Sequence, residues 1–400
     1  MDVFRILDEN QISVLDEIKH ICKAKKIKVY IVGGAVRDSI LNLKTRDIDL
    51  CIEENPLEVI KALKTLKKYV YYEKFQTSTL HFNNGIVIDL IRCRSEIYLN
   101  DGMLPVIKPS SIEDDLYRRD FTINALAYDL AKEKIIDLHN GIKHINEKTI
   151  KSVHKNSYNE DPTRIFRAIR YGIRYGFKIK EEDVIKKLIS NNIFDSISYD
   201  RYVKELYLIC CEKNWIEMLK TCHKYGIFNI DYEKLGSKNI LCNCSKNPYM
   251  NFLNLIYCSK DKKLNTIILK NSFFSKELIN PIREFVLKKN EVEVGLLHAK
   301  TNYDIYNILR GMSDYELILF SWNDDIKYKI YNYVNNILKC NLKISGSEIK
   351  KLIKIDGKVV GLIKQFILRK NVNMLMNFDL SDFAEKNMGE ILYDAEYKHR

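Results

Sequence analysis

Apolar residues recur every three to four positions from Val3 to Ala24, which predicts a helix, and the continuous run Val29-Tyr-Ile-Val that follows stops at Gly33-Gly34. An apolar run ended by glycine reads as a buried strand. Further strand candidates at Ile48 to Ile52, Thr79 to Phe82 and Ile86 to Ile91 make the first 150 residues a small mixed α/β unit. From about residue 160 nearly every segment has 3.6-residue periodicity and the strand signals disappear, so the remainder is expected to be all-helical. Breakers between Leu235 and Pro248 place a loop between helical subunits, and a second joint is expected near Cys340 to Gly346. No internal repeat or low-complexity tract is visible.

The composition, 46 % hydrophobic and 30 % charged over 400 residues, excludes a disordered tail or a fibre. No apolar run reaches the ~18 residues of a membrane span, and the opening MDVFRILDEN has no basic leader or hydrophobic signal core, so a cytoplasmic protein is expected. The ten cysteines include no C-x-x-C pair, which argues against a disulfide framework or a zinc knuckle and predicts reduced, mostly buried thiols. Charge changes the picture more. Residues 1–150 hold 23 Lys and Arg and 23 Asp and Glu, so the whole net charge of +12 lies in residues 151–400. A neutral part joined to a basic one suits an enzyme head fused to a body that holds a polyanion; a plain lysine-rich bias is the other reading.

Three stretches carry candidate chemistry. Ile31-Val-Gly-Gly-Ala-Val-Arg-Asp38 sets two glycines between a strand and a helix, where backbone N–H groups can approach a phosphate and Arg37 can reach it; a tight turn is the plainer alternative. Asp47-Ile48-Asp49 puts two carboxylates on one face of a strand, within reach of shared divalent ions, or else is a solvated strand end. Asp89 could supply a third carboxylate, or pair with Arg92 or Arg94. In Glu160-Asp-Pro-Thr-Arg-Ile-Phe-Arg-Ala-Ile-Arg170, Asp161 and Pro162 form an N-cap and first-turn pair. The helix they start would pack Ile165, Phe166, Ile169 and Ile173 inward and present Arg164, Arg167, Arg170 and Arg174 opposite, arginine forks suited to phosphate or base edges.

Together, GGAVRD, then D-I-D ten residues beyond Arg37, then Arg118-Arg-Asp-Phe-Thr-Ile-Asn-Ala125 and the E-D-x-x-R helix resemble the poly(A) polymerase and class II CCA-adding enzyme family. The likeness is strong over residues 29–205. Asp137-Leu-His-Asn-Gly141 resembles the family's hinge, or is a turn. Arg201-Tyr-Val-Lys-Glu205 resembles its fifth motif, with a local i,i+4 salt bridge as the alternative. Ile344-Ser-Gly-Ser-Glu-Ile349 and Gly357-Lys-Val-Val-Gly361 look like the tail of CCA-adding enzymes, or are two inter-helical turns. Gln76 stands where the family often has glycine, and Asp101-Gly-Met-Leu-Pro105 lacks arginines often found in the loop between the first two motifs.

The resemblance implies a DNA polymerase β-like nucleotidyltransferase head (1–150), a neck of nucleobase-binding helices (151–205), a helical body (206–340) and a tRNA-binding tail (341–400), an α+β fold overall. It implies CCA addition to the tRNA 3′ end from CTP and ATP with release of pyrophosphate, with poly(A) or CC addition on the same fold as alternatives. The implied catalytic acids are Asp47, Asp49 and Asp89, the first two holding Mg²⁺. Gly33, Gly34, Arg37, Arg119, Asp120, Asn124, Glu160, Asp161, Arg164, Arg167 and Arg170 are implied to bind nucleotide. Asp161 and Arg164 would read the base, with Glu160 orienting Arg164. Cytosine and adenine each set an amino donor beside a ring-nitrogen acceptor, whereas guanine and uracil reverse that order, so an Asp acceptor beside an Arg donor admits only the first two.

Overall fold

The helix expected from Val3 to Ala24 is two pieces. Val3–Ile6 is a 3-10 turn and α1 is Glu9–Lys25, because Asp8 accepts the Gln11 N–H while the Gln11 side chain accepts the Asp8 N–H, and this reciprocal cap starts a new helix. The computed structural model describes residues 3–45, 47–242, 247–340, 345–353 and 358–375. It divides into two compact units, residues 1–229 and 230–400. The partition at residues 150, 205 and 340 is a functional proposal within these units.

In the first unit, α1 leads into β1 (Val29–Val32), α2 (Gly34–Ile40), β2 (Ile48–Ile52), α3 (Leu57–Ile60), β3 (Leu66–Tyr72), β4 (Thr77–Phe82) and β5 (Val87–Arg92). There follow β6 (Arg94–Ile97), β7 (Val106–Pro109), α4 (Ile112–Tyr117), β8 (Leu126–Asp129), β9 (Lys134–Asp137) and α5 (Gly141–Asn146). Seven strands form one sheet in the order β3-β4-β5-β2-β1-β8-β9, all antiparallel except β2 beside β5, and β6 and β7 form a separate hairpin. The four expected strands are present. The missed ones have weak local signals: β3 is an edge strand with most residues exposed, and β8 and β9 are four residues each.

The rest of this unit contains β10 (Thr149–Ile150), α6 (Ser157–Glu160), α7 (Thr163–Tyr175), β11 (Lys178–Ile179), α8 (Glu182–Ser190), α9 (Tyr199–Cys210) and α10 (Trp215–Tyr225). Strand structure therefore persists past residue 160, as the short parallel pair of β10 and β11. Ile165, Phe166 and Ile169 are buried as the helical pattern predicts, and the Phe166 ring lies edge-on to Tyr202 of α9 at 5.1 Å.

The second unit is helical: α11 (Pro248–Cys258), α12 (Lys262–Lys270), α13 (Lys276–His298), α14 (Asn302–Leu309), α15 (Asp314–Phe320), α16 (Lys327–Asn335), α17 (Gly346–Ile353) and α18 (Lys358–Met374). Its core is mainly Ile and Leu with aromatic pairs set in it, Phe285 and Phe320 rings 4.9 Å apart, and the Lys329 ammonium donates to the Leu296, Leu297 and Ala299 carbonyls that end α13. Gly361 lies inside α18 rather than in a turn, while Ile344, Gly357 and residues 376–400 of the expected tail lie outside the described residues. No described helix is long and apolar enough to cross a membrane.

The free thiols Cys22, Cys51, Cys93, Cys210, Cys222, Cys258 and Cys340 are buried and Cys211 is exposed. Cys242 is disulfide-bonded, which corrects the expectation of thiols throughout; Cys244 lies outside the described residues.

Candidate active site

Ile48, Leu50 and Ile52 of β2 are buried, so strand alternation turns Asp49, and Asp47 just ahead of the strand, to the opposite face. Asp89 of β5 is in register with Asp49, one strand spacing of about 4.8 Å away. Its Oδ1 accepts the Thr79 hydroxyl at 2.7 Å. The alternative partners are engaged elsewhere, Arg92 with Gln76 Oε1 and the Glu53 carbonyl, Arg94 with Glu96. Burial pushes the Asp49 carboxyl above its usual range, Arg119 pulls it down, and Asp89 and Asp47 push it up again. Among the described residues no three His, Cys, Asp or Glu side chains form a ready-made metal cage. The donor set nevertheless fits a hard divalent ion, because such an ion takes one or two carboxylates and completes its shell with water and substrate phosphates.

The pair borders a cleft of about 650 Å³, whose lining also includes Gly33, Gly34, Arg37, Arg119, Asp120, Asn124, Asp161, Arg164 and Arg167. Asp89, Glu160 and Arg170 do not line it. Gly33 has φ +65°, a backbone conformation that calls for glycine, and a Cβ there would meet Arg119 Nη1 at 2.7 Å and displace that group.

The arginines are held from within. Arg37 donates to Asp38 and to Asn124 Oδ1, with its guanidinium 4.8 Å from the Tyr175 ring centroid. Asn124 donates on to Asp120, whose Oδ2 takes Nε and Nη2 of Arg167 at 2.7 and 2.6 Å. Burial alone would raise the Asp120 carboxyl, but Arg167 and the Asn124 amide outweigh it and hold the group below the usual range. Arg119 gives Nε and Nη2 to the fully buried Asp115, which Arg118 also bonds. Arg119 and Arg167 thus each retain an unengaged Nη1 at the cleft.

The helix α7 departs from expectation. Asp161 lies just ahead of it and caps it one residue late, its Oδ1 accepting the Thr163 N–H and hydroxyl. The arginine face that should wait for anions is largely paired: Arg170 with Glu205 and Glu212, Arg174 with Glu212, Arg167 with Asp120. Arg170 is a buried strut and not part of the cleft wall, because Glu205 and Glu212 reach it from α9 and the turn after it. The local Arg201–Glu205 bridge is absent. Arg201 instead bonds Asp161 Oδ1 at 2.7 Å and the Gly102 carbonyl at 2.5 Å. Gly102, at φ +72°, donates its N–H to the Asn159 and Glu160 carbonyls, and a Cβ would overlap Ser196. The stretch between the first two motifs is therefore fastened to the neck through glycine backbone.

Asp161 and Arg164 are left with one group each. All three donors to Asp161 reach Oδ1, leaving Oδ2. Arg164 gives Nη1 to the Ser157 hydroxyl and carbonyl, and Nη2 to the Arg118 carbonyl and Tyr98 hydroxyl, leaving Nε–H. Glu160 Oε2 stands 4.0 Å from Arg164 Nη1 and 3.3 Å from His154 Nε2. His154 stacks on Tyr117, and burial, with Arg164 and His139 nearby, lowers its pKa to about 4.

Sequence reasoning missed Asp115, Ser157, Tyr98, Tyr171 and Tyr175. Asp115 had a signal, since it precedes Arg118 and Arg119 by three and four residues, the spacing of helical ion pairs. The tyrosines, four apart on α7, had the same one. Ser157 and Tyr98 had none.

Comparison with known proteins agrees with this geometry. Residues 29–151 match the family described as the poly A polymerase head domain. The chain is 26 % identical over 373 residues to an A-adding tRNA nucleotidyltransferase of Aquifex aeolicus, a match covering 87 % of this chain and 45 % of that protein. It is 28 % identical to a CCA-adding enzyme of Ligilactobacillus salivarius, covering 83 % of this chain and 82 % of the relative. Against the A-adding relatives, the chain spans half of their length or less. A solved structure of the Thermotoga maritima CCA-adding enzyme complexed with tRNA superposes with a TM-score of 0.71 at 25 % identity, over 97 % of each chain.

Proposed function

We propose that this chain, whose residues 29–151 form a poly(A) polymerase head domain, is a tRNA nucleotidyltransferase that adds C, C and A to the RNA 3′ end from CTP and ATP. The observation that carries the reading is the residual pairing capacity of Asp161 and Arg164. One carboxylate oxygen and one N–H, on two residues that both line the cleft, would match the amino donor and ring-nitrogen acceptor of cytosine and adenine and clash with guanine and uracil. The protein itself would be the template.

The RNA 3′-hydroxyl attacks the α-phosphorus of the bound nucleotide, the new phosphodiester forms, and pyrophosphate leaves with the electrons of the broken P–O bond. Arg119 and Arg167, each fixed by a carboxylate through two donors, offer their remaining Nη1 groups to the triphosphate, and Arg37 stands beside them. A divalent ion, Mg²⁺ in this reading, would be held by Asp47 and Asp49 and would supply charge neutralisation at the reacting oxygens. The basic helical body, with the tail beyond it, would grip the tRNA acceptor arm by shape and backbone contacts.

A second reading has one observation in its favour: several of the similar proteins are A-adding enzymes. Product length decides between them. tRNA transcripts ending before CCA, or after its two cytidines, are incubated with Mg²⁺ and CTP, ATP or both, beside an unstructured oligonucleotide. Three additions to the shorter transcript only with both nucleotides establish CCA synthesis. Addition confined to ATP on the transcript ending in CC would establish the A-adding reading, arrest after two cytidines a CC-adding enzyme, and a long ATP ladder on any RNA a poly(A) polymerase.

A further inference from the structure

The acids of β2 border a second cavity, of about 1030 Å³, that shares only Thr45, Asp47 and Asp49 with the nucleotide cleft. Asp89 lines this second cavity alone. In-line displacement requires the attacking oxygen and the departing pyrophosphate on opposite sides of the α-phosphorus. With the triphosphate held by Arg119 and Arg167, the hydroxyl must approach from beyond the acid pair, which is where this cavity opens.

An RNA end entering there brings the phosphodiester that precedes its last ribose toward three carboxylates, and that approach needs fixed positive charge. Among the described residues the basic side chains in the cavity lining are Arg5 and Lys44. Both are exposed, and neither has a hydrogen bond or ion pair among the described residues. The remaining acid of the lining, Asp8, is occupied as the cap of α1. The walls that carry the two cations are braced: Gln11 Nε2 reaches the Thr45 carbonyl at 3.5 Å and Asn84 Nδ2 the Asn10 carbonyl at 3.3 Å. Arg5 lies ahead of the region that matches the head-domain family, so this wall is a contribution of the chain's own N-terminal segment.

We propose that the cavity beyond Asp47 and Asp49 receives the 3′ end of the acceptor RNA and that Arg5 and Lys44 bind its terminal phosphodiester as positioning residues. The inference rests on the nucleotidyltransfer reading above. The test uses the full chain and its Arg5→Ala, Lys44→Ala and doubly substituted forms, with RNA ending in an ordinary linkage or in a neutral methylphosphonate at the last position. For the double variant the KM for ordinary RNA should rise about tenfold, the KM for CTP should stay put, and the salt slope of RNA binding should shrink by about 0.7, the value for one neutralised phosphate of a single strand. The neutral RNA should be a poorer substrate for the wild type, and the double substitution should cost nothing further on it. Arg5→Lys should retain most of the wild-type affinity. An unchanged KM for RNA, or equal losses on charged and neutral RNA, overturns the assignment. Absence of addition by the wild type on any RNA would instead overturn the nucleotidyltransfer reading.

Discussion

The two walls of the nucleotide cleft carry charge in opposite ways. On the sheet side Asp47 and Asp49, backed by Asp89 on the neighbouring strand, have no salt bridge among the described residues, and repulsion from Asp89 and Asp47 helps hold the Asp49 carboxyl above its usual range after burial has raised it. On the helix side Arg167 and Arg174 are each matched to an internal carboxylate, and Arg164 is tied to two side-chain hydroxyls and two carbonyls. In the proposed function the first wall is completed by a cation. The second is complete already, so a ligand would meet the few N–H groups that remain. On that reading the uncompensated acids serve chemistry and the compensated arginines serve orientation.

The largest test of the contrast is Asp49→Ala. Removing one of two carboxylates from an uncompensated pair should slow nucleotide addition about a thousandfold, the several kcal/mol expected of a lost metal ligand, while tRNA affinity barely changes. Residual addition within about tenfold of wild type in single-turnover assays would take Asp49 out of the metal site. On the other wall Arg167→Ala should act on stability, because it leaves Asp120 buried and unpaired; a loss on the order of 3 kcal/mol is expected from the urea midpoint. A fold as stable as the wild type would show that the arginines are not structural counter-charges.

Asp161→Ala sits between these extremes. It should narrow the preference for CTP and ATP over GTP and UTP by about 2 kcal/mol, more than it slows the chemistry, as measured by competing the four nucleotides. Unchanged selectivity would refute base reading by Asp161. The smallest effect is a pH dependence. His154 is harder to protonate folded than unfolded, so its contribution to stability is complete above pH 6.5 and is lost as pH falls toward 4. The loss by pH 6 should be on the order of 1 kcal/mol, and His154→Gln should flatten that part of the stability profile; an identical profile would show that His154 titrates normally.

The acid pair was legible in the sequence because strand alternation is local: Ile48, Leu50 and Ile52 turn inward and Asp49 therefore outward, whatever else the chain does. The packed side of α7 was legible for the same reason. The partners of its arginines were not, since Asp120 lies 47 residues from Arg167 and Glu205 lies 35 from Arg170, distances at which residue spacing carries no contact information. Arg201 shows how a local rule fails. Its i,i+4 acid is present, but the tertiary fold offers Asp161 and the Gly102 carbonyl, and these win. Gln76 is a milder case: it takes φ 46° and ψ 48°, the backbone shape that glycine adopts without strain, and the Gln76 side chain is anchored by Arg92.

Four of the five N–H groups of Arg164 are committed to the protein, and this bears on how nucleotide preference could be redesigned. Exchanging Arg164 would remove four hydrogen bonds at once, to the Ser157 hydroxyl and carbonyl, the Arg118 carbonyl and the Tyr98 hydroxyl, whereas exchanging Asp161 removes three and leaves half-buried Arg201 its bond to the Gly102 carbonyl. If Asp161 and Arg164 read the base as proposed, variation in the nucleotides accepted is more accessible at Asp161, and Arg164 is the fixed letter against which any new partner would have to be spelled.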